Sequence, residues 1–407
     1  MRDTGPNRRF YDSIPVQTLI ALSFNNISLL AGGLISIFTP LFQEAPWILA
    51  LFPPVLTIRG GIGGLFSGNL ATMLHLGFIK PQIRKNTRVY WQLIRASYVI
   101  TVIDTVAMGL FAFVLNFALG RATLGQLFVF AVVPPVACVL ALALSIPLTS
   151  IIAIVTFRRG LDPDILVYPI LASINDIVVT AAFVATIFMV LAGGVFNYLL
   201  TGAFIFIVGI AVYLAWTNRG IKFFYQTIRE GTAIVVLSSI FGSINGFFLS
   251  SMGARLQAHP GLVVLYPALT NALGNIGSII GSTKTTSLAL GDVRNFRDEF
   301  WSAVSSILQV EAVAFGIRVI FGVVTYLIVR PASPGVSLMF LVSVAVTTNI
   351  VTFLVIGVFA LIIAYFSFQR GLNPDNIVIP AITTLSDSVV TIAVTPVIYM
   401  LKLFGLA

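Results

Sequence analysis

Two aspartates are the residues whose setting most needs a chemical reason. Asp176 and Asp387 lie inside long apolar runs, in segments that repeat each other: residues 160–180 read GLDPDILVYPILASINDIVVT and residues 371–391 read GLNPDNIVIPAITTLSDSVVT. The alignment needs no gap and pairs Gly160 with Gly371, Pro163 with Pro374, Asp164 with Asp375, Pro169 with Pro380 and Asp176 with Asp387. A carboxylate at membrane depth is costly, and such residues face a bundle interior, a partner charge or a water-filled path. Two of them around one aqueous path form a site for a divalent cation, whose charge offsets their mutual repulsion. Such a site needs the two to meet across a symmetry axis; side chains far apart, each turned toward lipid or tied up by a basic neighbour, would rule it out. No Lys or Arg recurs mid-span in both copies. The bland alternative is that each Asp caps or pairs within its own half; the duplicated placement favours the cation site.

The neighbours suit a hard cation. Asn175, Ser173, Thr383, Thr384 and Ser386 offer oxygen, and Mg²⁺ prefers octahedral oxygen ligation while giving up its water reluctantly. Pro169 and Pro380 each remove a helix hydrogen bond, so carbonyls near residues 165 and 376 either face the path or mark a kink. Gly160 and Gly371 end the preceding helices; Asp162 and Asn373 then serve as N-caps, with Pro163 and Pro374 at the first helical position. Asp164 and Asp375 complement the helix N-termini and are candidates for a cytoplasmic mouth.

A second, weaker repeat pairs residues 54–77 (PVLTIRGGIGGLFSGNLATMLHLG) with residues 267–291 (PALTNALGNIGSIIGSTKTTSLALG). Its glycines, Gly60, Gly61, Gly63 and Gly64 in one copy and Gly274 and Gly277 in the other, let helices approach closely in lipid. Gly274, Asn275 and Asn69 are candidates near the path, while Arg59 and Lys284 are expected to snorkel to the interface. Asp104 and Glu311 sit deep in the third span of each half, and Arg318 shares a helix face with Glu311. A structural network and a coupling role for H⁺ or Na⁺ are both open there, with structure slightly favoured.

The elements that position these groups follow from composition. The 407-residue chain is 58% hydrophobic and 9% charged, with a mean hydropathy of +1.03, against roughly 25% charged residues in a soluble domain. Its apolar runs repeatedly reach the ~20 residues that span a hydrocarbon core, and they do not alternate as barrel strands would. An all-α polytopic membrane protein is predicted, with eleven spans near 17–42, 46–78, 93–118, 123–157, 164–192, 197–216, 230–252, 262–290, 302–329, 337–368 and 375–403. The repeats divide it into a first five-helix unit (1–195), an extra linker helix (196–218) and a second five-helix unit (219–407). The extra helix turns the chain around, so the units lie parallel about a pseudo-twofold axis along the membrane normal, as in a homodimer fused into one chain.

The net charge of +9 is spread over short loops, a pattern of membrane topology and not of a nucleic-acid groove. Lys80, Arg84, Lys85, Arg88, Arg95, Arg158, Arg159, Arg219, Lys222, Arg229, Arg294, Arg297 and Arg370 fall on the side of the basic N-terminus (Arg2, Arg8, Arg9). The opposite loops hold only Arg121, Arg255, Arg330 and Lys402, so the N-terminus is expected to be cytoplasmic and the C-terminus external, in the plasma membrane. No cleavable signal peptide is expected. Cys138 alone excludes a disulfide within the chain, His75 and His259 are too few and too separated for a zinc cluster, and no HExxH or Ser/His constellation points to an enzyme.

The block from Asp162 to Asp176, its copy from Asn373 to Asp387 and the PVLT and PALTNALGNIG segments resemble the fifth and second spans of the MgtE family of magnesium channels, and the duplicated form looks like its animal solute-carrier relatives. The resemblance covers essentially the whole chain. It implies a central pore between the second and fifth spans of both units, with Asp176 and Asp387 binding hydrated Mg²⁺, at once transported ion and pore ligand. Two departures stand out: Ile62 replaces the Asn of the family's glycine motif, and the cytoplasmic and CBS sensor domains of the bacterial channels are missing, so gating by them is not expected of this chain alone. The expected function is Mg²⁺ transport by a single chain in a lipid bilayer. The alternative is a Na⁺- or H⁺-coupled exchanger of Mg²⁺ or another divalent ion such as Co²⁺ or Mn²⁺.

Overall fold

The computed structural model describes residues 14–37, 47–251, 260–290, 296–331 and 333–404. Arg2, Arg8, Arg9, Arg255, His259 and Arg294 lie outside them, as do the side chains of Arg297 and Asp375. The described chain is helical: α1 (Ile14–Ser23), α2 (Asn26–Ile37), α3 (Trp47–His75), α4 (Arg88–Ala118), α5 (Leu127–Arg158), α6 (Pro163–Ala192), α7 (Val195–Asn218), α8 (Lys222–Ser251), α9 (Pro260–Ala289), α10 (Phe296–Val329), α11 (Leu338–Gln369) and α12 (Val378–Leu403). Nine of these, α4 through α12, are long and apolar enough to cross a membrane. In lipid every backbone group must be satisfied within its own segment, which is why such runs coil.

Several boundaries differ from the sequence expectation. The first apolar run breaks at Phe24–Asn25, a turn between α1 and α2 that the polar Ser23, Asn25 and Asn26 open. Arg88 and Arg95 belong to α4, and Lys222, Arg229 and Glu230 to α8, because long helices carry their charged ends beyond the hydrocarbon-length stretch. The GLNPD turn does not open an α-helix directly: Pro374–Asn376 is a single 3₁₀ turn and α12 starts at Val378, so Pro380 sits in the first turn of α12, where its missing N–H costs little. By contrast Asp162 caps α6 as expected, accepting the Asp164 N–H at 2.9 Å. Gly160 and Gly371, with φ of +74° and +70°, take the left-handed conformation that ends a helix without a Cβ clash.

Four helices, α3, α6, α9 and α12, form the centre. The helices α1 and α2 reach across to pack on α9 and α10 as well as on α6, while α8 packs on α3, α4 and α12. Matching hydrogen bonds hold both turns: Gln17 Oε1 accepts the Asp162 N–H at 2.8 Å, and Glu230 Oε2 accepts the Asn373 N–H at 3.1 Å. The helix α7 lies at the periphery against α4, α5 and α6. Its Tyr198, Tyr213 and Trp216 are 80%, 62% and 64% exposed near its two ends, which suits aromatic rings at the edges of a bilayer.

The glycines of α3 and α9 set how closely the centre packs. A methyl at Gly64 would strike Ile379, and one at Gly277 would strike Ile382 and Ile356. Gly277→Ala is therefore expected to destabilise the protein by about 1–3 kcal/mol through overpacking, read as a lower unfolding temperature in detergent. Gly316→Ala, with open space at the same test position, serves as the control.

Candidate cation site

Asp176 and Asp387 line one small cavity between α3, α6, α9 and α12. It has room for roughly two waters. Thr383, Gly274, Thr270, Asn271, Tyr168 and Arg59 complete much of its wall. Asp387 Oδ2 accepts the Thr57 hydroxyl at 2.7 Å, so a residue of α3 orients a carboxylate of α12. Asp176 Oδ2 accepts from Ser28 Oγ at 2.6 Å and Asn271 Nδ2 at 2.8 Å. The break at Phe24–Asn25 starts α2 just before Ser28, and Asn25 itself accepts from Ser173 at 3.0 Å and from Asn275.

Arg59 departs most from the sequence expectation. It does not snorkel. Its side chain is 11% exposed in the middle of α3, with NH2 2.5 Å from Asp176 Oδ1 and NH1 donating to the Ala172 carbonyl at 2.6 Å. Snorkelling needs a helix end within reach, and the 29-residue α3 provides none at this position. Asp176 therefore does have a basic neighbour. Lys284, five residues from the end of α9, is likewise buried, at 9% exposure.

The other sequence candidates divide. Thr383 and Gly274 face the cavity. Asn175 instead lines a neighbouring, mostly apolar cavity with Ile62 and Ser145, and donates to Ser145 Oγ at 2.7 Å. Thr384 and Ser386 donate to the carbonyls of Pro380 and Ile382 in their own helix. Asn69 is bonded to Asn376 and Asn373 at 3.0 and 3.1 Å, in a polar knot that Glu230 completes by accepting from Asn376 at 3.0 Å. Asp104 accepts from Ser239 of α8, and its Oδ2 has no hydrogen-bond partner. Glu311 is joined to Arg318 through Asn349, which donates to Glu311 at 2.5 Å and accepts from Arg318 Nε at 3.0 Å.

A second group of ligand-type atoms lies at the ends of α3 and α6. His75, Asp162 and Asp164 each offer an atom, all within 4.8 Å of one another. His75 Nε2 is 3.7 Å from Asp162 and 3.9 Å from Asp164, whose Oδ1 accepts from Ser282 at 2.7 Å. Local sequence around His75 carries no sign of this group, because the carboxylates beside it come from the start of a different helix, α6.

The MgtE family model, described as a divalent cation transporter, matches the chain twice, at residues 52–186 and 266–395. Solute carrier family 41 member 3 of Rattus norvegicus is 23% identical over 403 residues, covering 92% of this chain and 84% of the relative. Its Mus musculus counterpart is 24% identical over 388 residues, covering 88% and 76%. Solute carrier family 41 member 2 of Mus musculus is 23% identical over 400 residues, covering 89% and 66%. No solved structure matches the chain.

Proposed function

This chain belongs to the MgtE family of divalent cation transporters, and on that premise we propose that it carries Mg²⁺ across a membrane through the cavity where Asp176 and Asp387 meet. The family is one of transporters, not enzymes. The observation that carries the reading is the convergence of two acids, at aligned places in two distant segments, on one cavity among four central helices. Acids at that depth mark ion pathways; Thr57 donates to Asp387, Asn271 donates to Asp176, and Thr270 and Thr383 line the same cavity.

A hydrated Mg²⁺ with six waters occupies on the order of 180 Å³ at about 30 Å³ per water. The cavity has room for roughly two waters against those six, so passage requires α3, α6, α9 and α12 to move apart or the ion to shed water. In this proposal α3 and the broken pair α1–α2 join the nine apolar helices as spans, giving eleven. The units 1–195 and 219–407 then lie parallel about a pseudo-twofold axis, joined by 196–218. The matching hydrogen bonds at Asp162 and Asn373 support that arrangement, as does the double match to the family model. The N-terminus is cytoplasmic and the C-terminus external, in the plasma membrane, and the single chain is a fused pseudo-dimer. The His75, Asp162 and Asp164 group stands at the cytoplasmic mouth.

Coupling to Na⁺ or H⁺ is a second reading, favoured by the fully buried Asp104, one of whose oxygens has no hydrogen-bond partner. Purified protein in liposomes loaded with a Mg²⁺-sensitive dye is expected to carry Mg²⁺ down its gradient. Absence of flux under every imposed Mg²⁺, Na⁺ and pH gradient would refute transport. Flux that requires a Na⁺ or pH gradient would select the coupled form.

A further inference from the structure

We propose that Arg59 is a tethered competitor for the transported ion: its guanidinium occupies the Asp176 carboxylate, and a cation enters the site by displacing it. This rests on the reading of the Asp176–Asp387 cavity as the ion path.

The aligned segments PVLTIRGG (54–61) and PALTNALG (267–274) differ in charge at one place, where Arg59 stands against Ala272. The two halves thus supply two carboxylates but only one buried guanidinium to the shared cavity. With all three ionised the site carries one net negative charge. Without the arginine it would carry two, the arrangement that suits a divalent ion.

The geometry is that of a bound but releasable cation. Arg59 grips α6 through its two terminal nitrogens, NH2 on Asp176 at 2.5 Å and NH1 on the Ala172 carbonyl at 2.6 Å. Its Nε is buried without a hydrogen-bond partner, so the side chain is not locked along its length. Arg59 also lines both the aspartate cavity and the neighbouring one that holds Thr101, Ser145 and Asn175. A guanidinium that swings from the first toward the second, mostly apolar cavity moves away from Asp176, toward Asn175 Oδ1, which is buried without a hydrogen-bond partner. Among the described residues neither Arg59 nor Asp176 has a second ion-pair contact within 4.0 Å, although Asp387 faces Arg59 across the same cavity.

Displacement gives a basis for selectivity. A monovalent ion that takes the place of a guanidinium brings no more charge than it removes, and it meets Asp387 with the same total. A divalent ion brings twice as much, so only a divalent ion gains from the exchange. Arg59 would lower the affinity for Mg²⁺ while denying the site to Na⁺ and K⁺, and it keeps buried Asp176 compensated between transport events. A buried carboxylate left alone would otherwise strain the fold.

The test is Mg²⁺ binding to the full-length protein in detergent by titration calorimetry. Arg59→Ala is expected to bind Mg²⁺ at least about tenfold more tightly than the unsubstituted chain, while Arg59→Lys, which keeps the charge, stays within about threefold of it. Equal or weaker binding by Arg59→Ala overturns the proposal. So does equal tightening in Arg59→Lys, since charge would then not be the cause. If Arg59→Ala does not fold, Arg59→Gln, which keeps donors for Asp176 and Ala172, is held to the same criterion. Asp387→Asn, run alongside, separates the two levels of the argument. If it leaves Mg²⁺ binding intact, the cavity is not the ion site and the functional reading falls. If it removes binding while Arg59→Ala leaves the affinity unchanged, only the role of Arg59 falls.

Discussion

Asp387→Asn is expected to reduce Mg²⁺ flux into liposomes by at least about 30-fold while folded protein still reaches the membrane. Asn matches Asp in shape and can still accept the Thr57 hydroxyl that now bonds Asp387 at 2.7 Å, so the change isolates charge from packing. Losing one partner of a close charge pair costs about 2–5 kcal/mol, which corresponds to roughly 30-fold to several thousand-fold. Asp176→Asn is a less clean experiment. It would leave the Arg59 guanidinium without its carboxylate, and an uncompensated buried charge costs about 3–5 kcal/mol of stability. Asp176→Asn should therefore lower both flux and protein yield, whereas Asp387→Asn lowers flux alone. Normal transport by well-folded Asp387→Asn would remove this cavity from the ion path.

The second large effect lies away from the cavity. Arg318→Met is expected to cost about 3–5 kcal/mol of stability, read as a lower unfolding temperature in detergent. Arg318 is 1% exposed, donates to Asn349 at 3.0 Å and lies 5.3 Å from the Phe321 ring centroid. Removing the guanidinium leaves Asn349 Oδ1 without that donor and Glu311 without the nearest positive charge. Adding Glu311→Gln should recover part of the loss, because the orphaned carboxylate goes with it. A double variant as unstable as the sum of the singles would show that Glu311 and Arg318 are not energetically linked.

What the sequence revealed was what repeats or runs. The helices could be located because each hydrophobic stretch is nearly uninterrupted, and the paired acids because two scarce residue types, Pro and Asp, recur at fixed spacing in both blocks. Long-range pairing left no such trace. Arg59 and Asp176 sit on helices far apart in the chain, and nothing local to Arg59 distinguishes an ion-paired arginine from one reaching for the interface. The partners Ser28 and Asn25 had a visible signal, the Ser23, Asn25, Asn26 and Ser28 cluster within an apolar run. Read only as an average hydropathy, that cluster disappears into the first span. The seventh predicted span begins at residue 230, whereas α8 begins at Lys222, so Glu230 lies inside the helix rather than at its edge.

The crossing of α1 and α2 onto α9 and α10 constrains how the chain can be made. Of the described helices these leave the ribosome first, yet part of their packing surface is synthesised hundreds of residues later, at roughly 5–20 residues per second. For a delay on the order of tens of seconds they must wait with only their α6 contacts, Asn25 lacking Asn275 and Ser28 lacking Asn271. Ribosome-bound fragments ending before α9 should thus hold α1 and α2 through α6 alone, and their docking should tighten once α9 and α10 have emerged.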